Sequence, residues 1–304
     1  MSFINKVVRN RNFILMLGIV LGLAIGERGA SMTQPSVVPL LAFVMTLSMS
    51  GMTTRDFGKI KTMPRRILAA VLLNYLVMGG LLILLGRLLI DDSELMTGLI
   101  VMAVVPPAIA SVPWSYILGG DTLFSLISLM TCYLVALVVT PLGMVSFLGV
   151  ASYDPTELII LLGQLIVLPI IISRILIAVK VNDFIARWRG PVVNWCFFVV
   201  IFTIIGLNRD AFFSEPDTLL RLSFIAVLTA VGLVYVIEYA AKKLHVGQET
   251  TISLILVGTM KNFGLASGIL LALFSSRAAI PSSIMTIVFL LRILWLGVHF
   301  KKKN

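Results

Sequence analysis

The 304-residue chain is 59% hydrophobic and 12% charged, with a mean hydropathy of +1.06, whereas soluble domains run near half apolar and about a quarter charged. It reads as a polytopic membrane protein, and its net charge of +10 is accounted for by topology and anionic lipid, not by nucleic acid. Cys132 and Cys196 lie inside apolar runs, and His245 and His299 lie at the ends of apolar segments near lysines. None of these has disulfide, zinc or His-dyad spacing, so no metal, cofactor or catalytic residue is expected.

In chain order, a basic start, MSFINKVVRNRN, precedes the apolar run Phe13 to Gly26. No small-residue cleavage pattern follows and Glu27-Arg28 closes the run, so it is expected to be a retained first span. Spans of about 20 residues for a hydrocarbon core of about 30 Å then divide the chain. They fall at Val37–Met52, Ile67–Ile90, Leu95–Leu118, Leu123–Leu148, Leu158–Val179, Val192–Leu207, Leu219–Ala241, Ile252–Phe274 and Pro281–Val298. The expectation is therefore an all-α protein of ten transmembrane helices.

Charge sets the orientation. With the N-terminus cytoplasmic, the inner ends hold Lys6, Arg9, Arg11, Arg55, Lys59, Lys61, Arg65, Arg66, Arg174, Lys180, Arg187, Arg189, Lys242, Lys243, Lys301, Lys302 and Lys303. The outer ends hold only Arg28, Arg87, Arg209, Arg221 and Arg277. This positive-inside bias requires an even span count, with both termini cytoplasmic and the chain in the cytoplasmic membrane. Within the spans, Arg292 is read as snorkelling to the cytoplasmic face and Glu238 as interfacial. Pro141 and Pro169 are expected to kink their helices, and Gly79-Gly80, Gly143 and Gly232 to pack helices together.

Two spans are interrupted. The ninth, LILVGTMKNFGLASGILLALF (Leu254 to Phe274), carries Lys261, Asn262 and Gly264 at its middle, and the fourth carries VPPAIASVPWSY (Val105 to Tyr116). A Lys at the centre of a spanning helix costs roughly 2.5–3.5 kcal/mol on insertion scales, which calls for a functional explanation. Asn262 can satisfy freed backbone groups, and Gly264 suits a helix that unwinds and restarts. Broken helices in corresponding positions of two halves point to a transporter's binding site. Ten spans divide into halves 1–150 and 151–304, and because five is odd the second half starts on the opposite side, so the repeats would be inverted.

The segments PPAIASVPWSYILGGDTLFSL (Pro106 to Leu126), LAFVMTLSMSGMTTRDF (Leu41 to Phe57) and MKNFGLASG (Met260 to Gly268) together resemble the bile acid/sodium symporter family. The resemblance implies a panel domain from spans one, two, six and seven and a core domain from the other six. In it, the two broken helices cross near the membrane centre and transport runs by alternating access. Its sodium ligands carry over only in part. Ser111 matches a fourth-span Ser, but the Asn beside it is Val112. Ser125 matches a fifth-span Ser, but the Thr is Leu129, and Asn74 stands where a third-span Gln is found. A pattern like Glu-Val-Gly-Met-Gln-Asn becomes Val257 to Asn262, so the shared Glu is lost and the Gln is Lys261.

A hard cation needs several oxygen ligands, and too few remain. Lys261 is therefore expected to replace sodium as a tethered charge, reaching the crossing-point carbonyls and the hydroxyls of Ser111 and Ser125, with Asn74 and Thr259 completing the ion-coupling set. Three roles stay open: a permanent structural cation, a proton-coupling group whose charged form is penalised by burial, or a neighbour of an unrecognised sodium site. The restarting half-helices and Lys261 favour a small organic anion, a carboxylate being the natural guess. Asn262 matches a substrate-facing Asn of the family, and Gly264, Ser111, Ser115, Tyr116 and Trp114 join it as substrate-site candidates. The alternatives are a sodium-coupled symporter, an arsenite-type exporter and a channel. The exporter's fourth-span cysteine is missing, and a channel's continuous polar stripe is not found. The partners expected are the anion, a proton or sodium, and the bilayer; the sequence leaves the oligomeric state open.

Overall fold

A computed structural model of the chain describes residues 10–50, 63–149, 153–180 and 182–301. The basic residues Lys6, Arg9, Arg55, Lys59, Lys61, Lys302 and Lys303, and the end of the LAFVMTLSMSGMTTRDF segment, lie outside the described residues. Among the described residues the regular structure is helical throughout, with no strand. Among the described residues, seven helices are long and apolar enough to cross a membrane: Glu27–Met49, Pro64–Leu89, Thr122–Leu148, Pro155–Ala178, Phe184–Leu207, Pro216–Lys243 and Arg277–Phe300. Three shorter apolar helices, Phe13–Ile25, Ser93–Val104 and Phe263–Leu273, are also present.

Both expected interruptions are present. The helix Ser93–Val104 begins on Asp92, whose carboxylate accepts from the amides of Glu94 and Leu95. It stops at Val105, which is extended (φ −75°, ψ 154°). The cause is Pro106-Pro107: proline lacks the amide a helix needs and drives the preceding residue out of the helical region. A short helix, Ser111–Ile117, follows. The second broken helix, Gln248–Thr259, ends at Met260 (φ −92°, ψ 95°) and restarts as Phe263–Leu273.

No proline breaks the second helix, and its freed backbone groups are satisfied by the first. The amide of Ala108 donates to Met260 O at 2.7 Å and that of Asn262 donates to Pro106 O at 3.0 Å, an antiparallel bridge that pairs Pro107 with Lys261. Irregular backbone at membrane depth requires such satisfaction within the protein. The hydroxyl of Thr140 donates to Val104 O at 2.8 Å, taking up another carbonyl at the first break. The helix containing Pro141 runs on from Thr122 to Leu148, and a wider π-helical turn at Gly163–Val167 precedes Pro169, where it relieves the clash of the ring with the previous turn.

The chain forms two compact units. One contains the described parts of residues 1–53 and 153–216 together with Gly264–Ser283; the other contains those of 54–152 and 284–304 together with Asp217–Phe263. The first holds the helices expected of a panel, but the restart of the second broken helix groups with it, a difference from the expected division. Residues 1–150 and 151–304 both contribute to each unit. Within the first unit, Gly18 and Gly22 bring backbones together: a Cβ at Gly22 would lie 2.9 Å from Phe202 O, the small-residue spacing of close helix pairs. Within the second, a Cβ at Gly79 would lie 2.6 Å from Ala103 O and one at Gly143 2.5 Å from Val104, whereas Gly80 faces open space.

Candidate functional site

The site is built in the second unit, around Lys261. Its side chain is 1% exposed, and its ammonium donates to Asn74 Oδ1 at 2.8 Å, Ala103 O at 2.8 Å and Val105 O at 3.0 Å. These three bonds use all three N–H donors of an ammonium. The ring of Tyr75 closes a further side, with its centroid 4.7 Å from Nζ. Ala103 O and Val105 O are carbonyls at the C-terminal end of Ser93–Val104, where helical partners run out and the helix dipole is negative. Each hydrogen bond to a charged group contributes about 1.5–3 kcal/mol, so three together offset the cost of holding the charge at that depth.

The cage is held by its own supports. Asn74 lies in a π-helical turn, Leu73–Met78, and donates through Nδ2 to Val257 O at 3.0 Å. Since an ammonium cannot accept, the amide orientation of Asn74 is fixed by chemistry. The hydroxyl of Tyr75 donates to Cys132 O at 2.7 Å. Close approach at Gly79 brings Ala103 O within reach, because any side chain there would collide with that carbonyl.

The other candidates fall in different places. Asn262 is 8% exposed and donates through Nδ2 to the hydroxyl of Tyr133 at 2.8 Å. Ser111 and Ser125 are fully buried, but their hydroxyls have no hydrogen-bond partner and do not reach the ammonium, which corrects the expected coordination. The three N–H donors go instead to Asn74 Oδ1, Ala103 O and Val105 O. Ser128 carries a third such hydroxyl. Ser115 is buried, its hydroxyl 2.8 Å from that of Ser253, which donates to Asp121 O at 2.9 Å; the pair ties Ser111–Ile117 to Gln248–Thr259. Tyr116 is 76% exposed and stands outside the packing. Gly264, half-buried, falls in the other unit.

Thr259 serves a different cation. Its hydroxyl donates to Ile255 O at 2.6 Å and accepts from Arg292 Nη2 at 2.5 Å. Arg292 is 2% exposed and does not snorkel; Thr259 gives it a polar partner inside, and Phe289 lies 4.9 Å beneath its guanidinium. Glu238 meets His299 Nε2 at 3.0 Å, with side chains 12% and 15% exposed.

Crossing-point carbonyls were expected as acceptors and do accept from the ammonium, but the sequence did not say that they would be those of Ala103 and Val105, and it did not point to Tyr75, Tyr133 or Ser253. The two carbonyls belong to the main chain, and only Pro106-Pro107 signalled that carbonyls go free there. Tyr75 neighbours Asn74, and nothing but that adjacency pointed to it.

The uncharacterized sodium-dependent transporter YocS of Bacillus subtilis (strain 168) is 25% identical over 253 residues, covering 82% of this chain and 77% of that protein. The profile of the Sodium Bile acid symporter family matches residues 38–215, more than half of the 304 residues. Spanning helices, a paired double break and that match lead to one assignment: the chain belongs to the sodium bile acid symporter family of membrane transporters.

Proposed function

We propose that this chain is a carrier for a small organic anion, a carboxylate, in which the ammonium of Lys261 takes the place of a coupling sodium ion. The observation that carries the reading is the shell around Nζ: one amide oxygen and two helix-end carbonyls at 2.8, 2.8 and 3.0 Å. Those are the neutral oxygens an alkali ion would take, here filled by a tethered charge. The relative's name states sodium dependence; in this chain Lys261 supplies the positive charge itself.

The carrier reading includes ten spans with both termini cytoplasmic in the cytoplasmic membrane, built as two inverted repeats that move by alternating access. Supporting it, the first halves of both broken helices are 12 residues long, and π-helical turns occur in both Pro64–Leu89 and Pro216–Lys243. Asn262 remains the substrate-facing residue of this proposal, with the restart at Gly264 behind it.

Coupling is tested by uptake of a carboxylate panel into proteoliposomes under an imposed proton gradient. Proton-linked uptake that K261Q abolishes, while exchange survives, makes Lys261 the coupling group. Gradient-insensitive uptake makes it a fixed structural cation. Rates that neither the variant nor the gradient changes refute any role for the amine.

A second reading is favoured by the buried, unpartnered hydroxyls of Ser111, Ser125 and Ser128. Such groups ask for a water or an ion, and a sodium site among them would leave the chain sodium-coupled despite Lys261. Strict dependence of wild-type uptake on sodium, abolished in S125A, would establish that reading over the first.

A further inference from the structure

Lys261 supplies charge at the break but no free donor, since its three N–H groups all bond protein oxygens. A carboxylate that binds this unit must find its hydrogen bonds elsewhere. Asn262, facing the substrate, is neutral and gives one N–H of Nδ2 to Tyr133, and the Ser115 and Ser253 hydroxyls bond each other.

Arg292 is different. It lies within the helix Ile280–Lys301, at 2% exposure. A guanidinium carries five N–H donors, of which Nη2 reaches Thr259 Oγ1 while Nε and Nη1 are buried with no partner. Thr259 is two residues from Lys261, so Arg292 meets the end of Gln248–Thr259 while the ammonium that follows that helix bonds the end of Ser93–Val104. Among the described residues, no Asp or Glu is buried to balance them, and Glu238 is engaged with His299. A buried cation without a counter-ion is among the costliest arrangements in a protein, and a planar guanidinium matches a carboxylate better than any other side chain does.

We infer that Arg292 is the residue that binds the carboxylate of the transported anion, along an edge of the guanidinium that presents an unpartnered Nε or Nη1 donor beside the second N–H of Nη2, whose other N–H holds Thr259. The inference rests on the carboxylate-carrier reading and deepens it by naming the receptor. Lys261 then acts at a distance, by charge, and Arg292 by contact. In the present conformation the guanidinium is shut off from solvent; a carrier opens its site to one side at a time.

The test is thermal stabilisation of the purified full-length protein by pyruvate, lactate and succinate, each compared with a neutral amide (pyruvamide, lactamide, succinamide). Wild type is expected to be stabilised by at least one acid and not by its amide. R292Q is expected to bind that acid roughly 10- to 100-fold more weakly, the loss for hydrogen bonds to a charged group, and R292K to fall between. R292Q responding like wild type would overturn the inference and leave the carrier reading standing. Absence of any response in wild type would overturn both. Should R292Q fail to fold, phenylglyoxal labelling of wild type in liposomes, read by mass spectrometry at Arg292, decides: slowing by the acid supports the inference, and labelling that is absent or unchanged by the acid overturns it.

Discussion

Removing the amine of Lys261 is the perturbation with the most calculable outcome. In K261A the acceptors Asn74 Oδ1, Ala103 O and Val105 O, now at 2.8, 2.8 and 3.0 Å from Nζ, lose a charged donor together. Breaking a buried charged interaction by deleting one partner costs about 3–5 kcal/mol, and the missing side chain adds a cavity. The vacated shell consists of neutral oxygens at a helix C-terminus, so it should then take a small cation. At sodium a hundredfold above its dissociation constant, mass action returns about 2.7 kcal/mol, more than half of the about 3–5 kcal/mol lost with the interaction itself. The assay is detergent melting of wild type and K261A in sodium chloride and choline chloride. K261A should melt well below wild type in choline and recover most of the difference in sodium, while wild type is indifferent to the salt. A variant that melts with wild type in choline, or gains nothing from sodium, would refute the substitution of amine for ion.

Other outcomes follow from the same contacts. G79A should destabilise by about 1–3 kcal/mol through overpacking, since its Cβ would lie 2.6 Å from Ala103 O, and melting of G79A beside the control G80A, which meets nothing within 4 Å, checks this. S253A should cost about 1–3 kcal/mol by stranding the Ser115 hydroxyl, whereas Y116F, at an exposed position, should melt with wild type. N262A should lower carboxylate uptake at least tenfold while Y133F, which keeps the ring and removes only the Asn262 partner, should lower it less. Equal uptake rates in N262A and wild type would remove Asn262 from the substrate site.

The sequence carried the helical segments and the position of both breaks, for separate reasons. Pro106-Pro107 forces one directly by removing amides. The other was read from a Lys, an Asn and a Gly that a continuous apolar helix would not hold, and its backbone is stabilised only by pairing with the first, at Ala108 to Met260 and Asn262 to Pro106. The acceptors of Lys261 were half legible. Asn74 came through the family resemblance, but Ala103 and Val105 act through main-chain oxygens whose side chains carry no signal. Ser111 and Ser125 were assigned to the amine because they match serines among the family's sodium ligands, whereas three other oxygens take its donors. Arg292 was misread because a basic residue well along a span usually reaches the interface; its true partner, Thr259, comes from another helix that no local pattern links to it.

Replacement of sodium by choline on both sides of the membrane, during uptake of the best-stabilising carboxylate into proteoliposomes, tests the central claim most directly. A charge tethered at Lys261 predicts the same initial rate in both salts. Uptake that stops in choline and returns with sodium would contradict it.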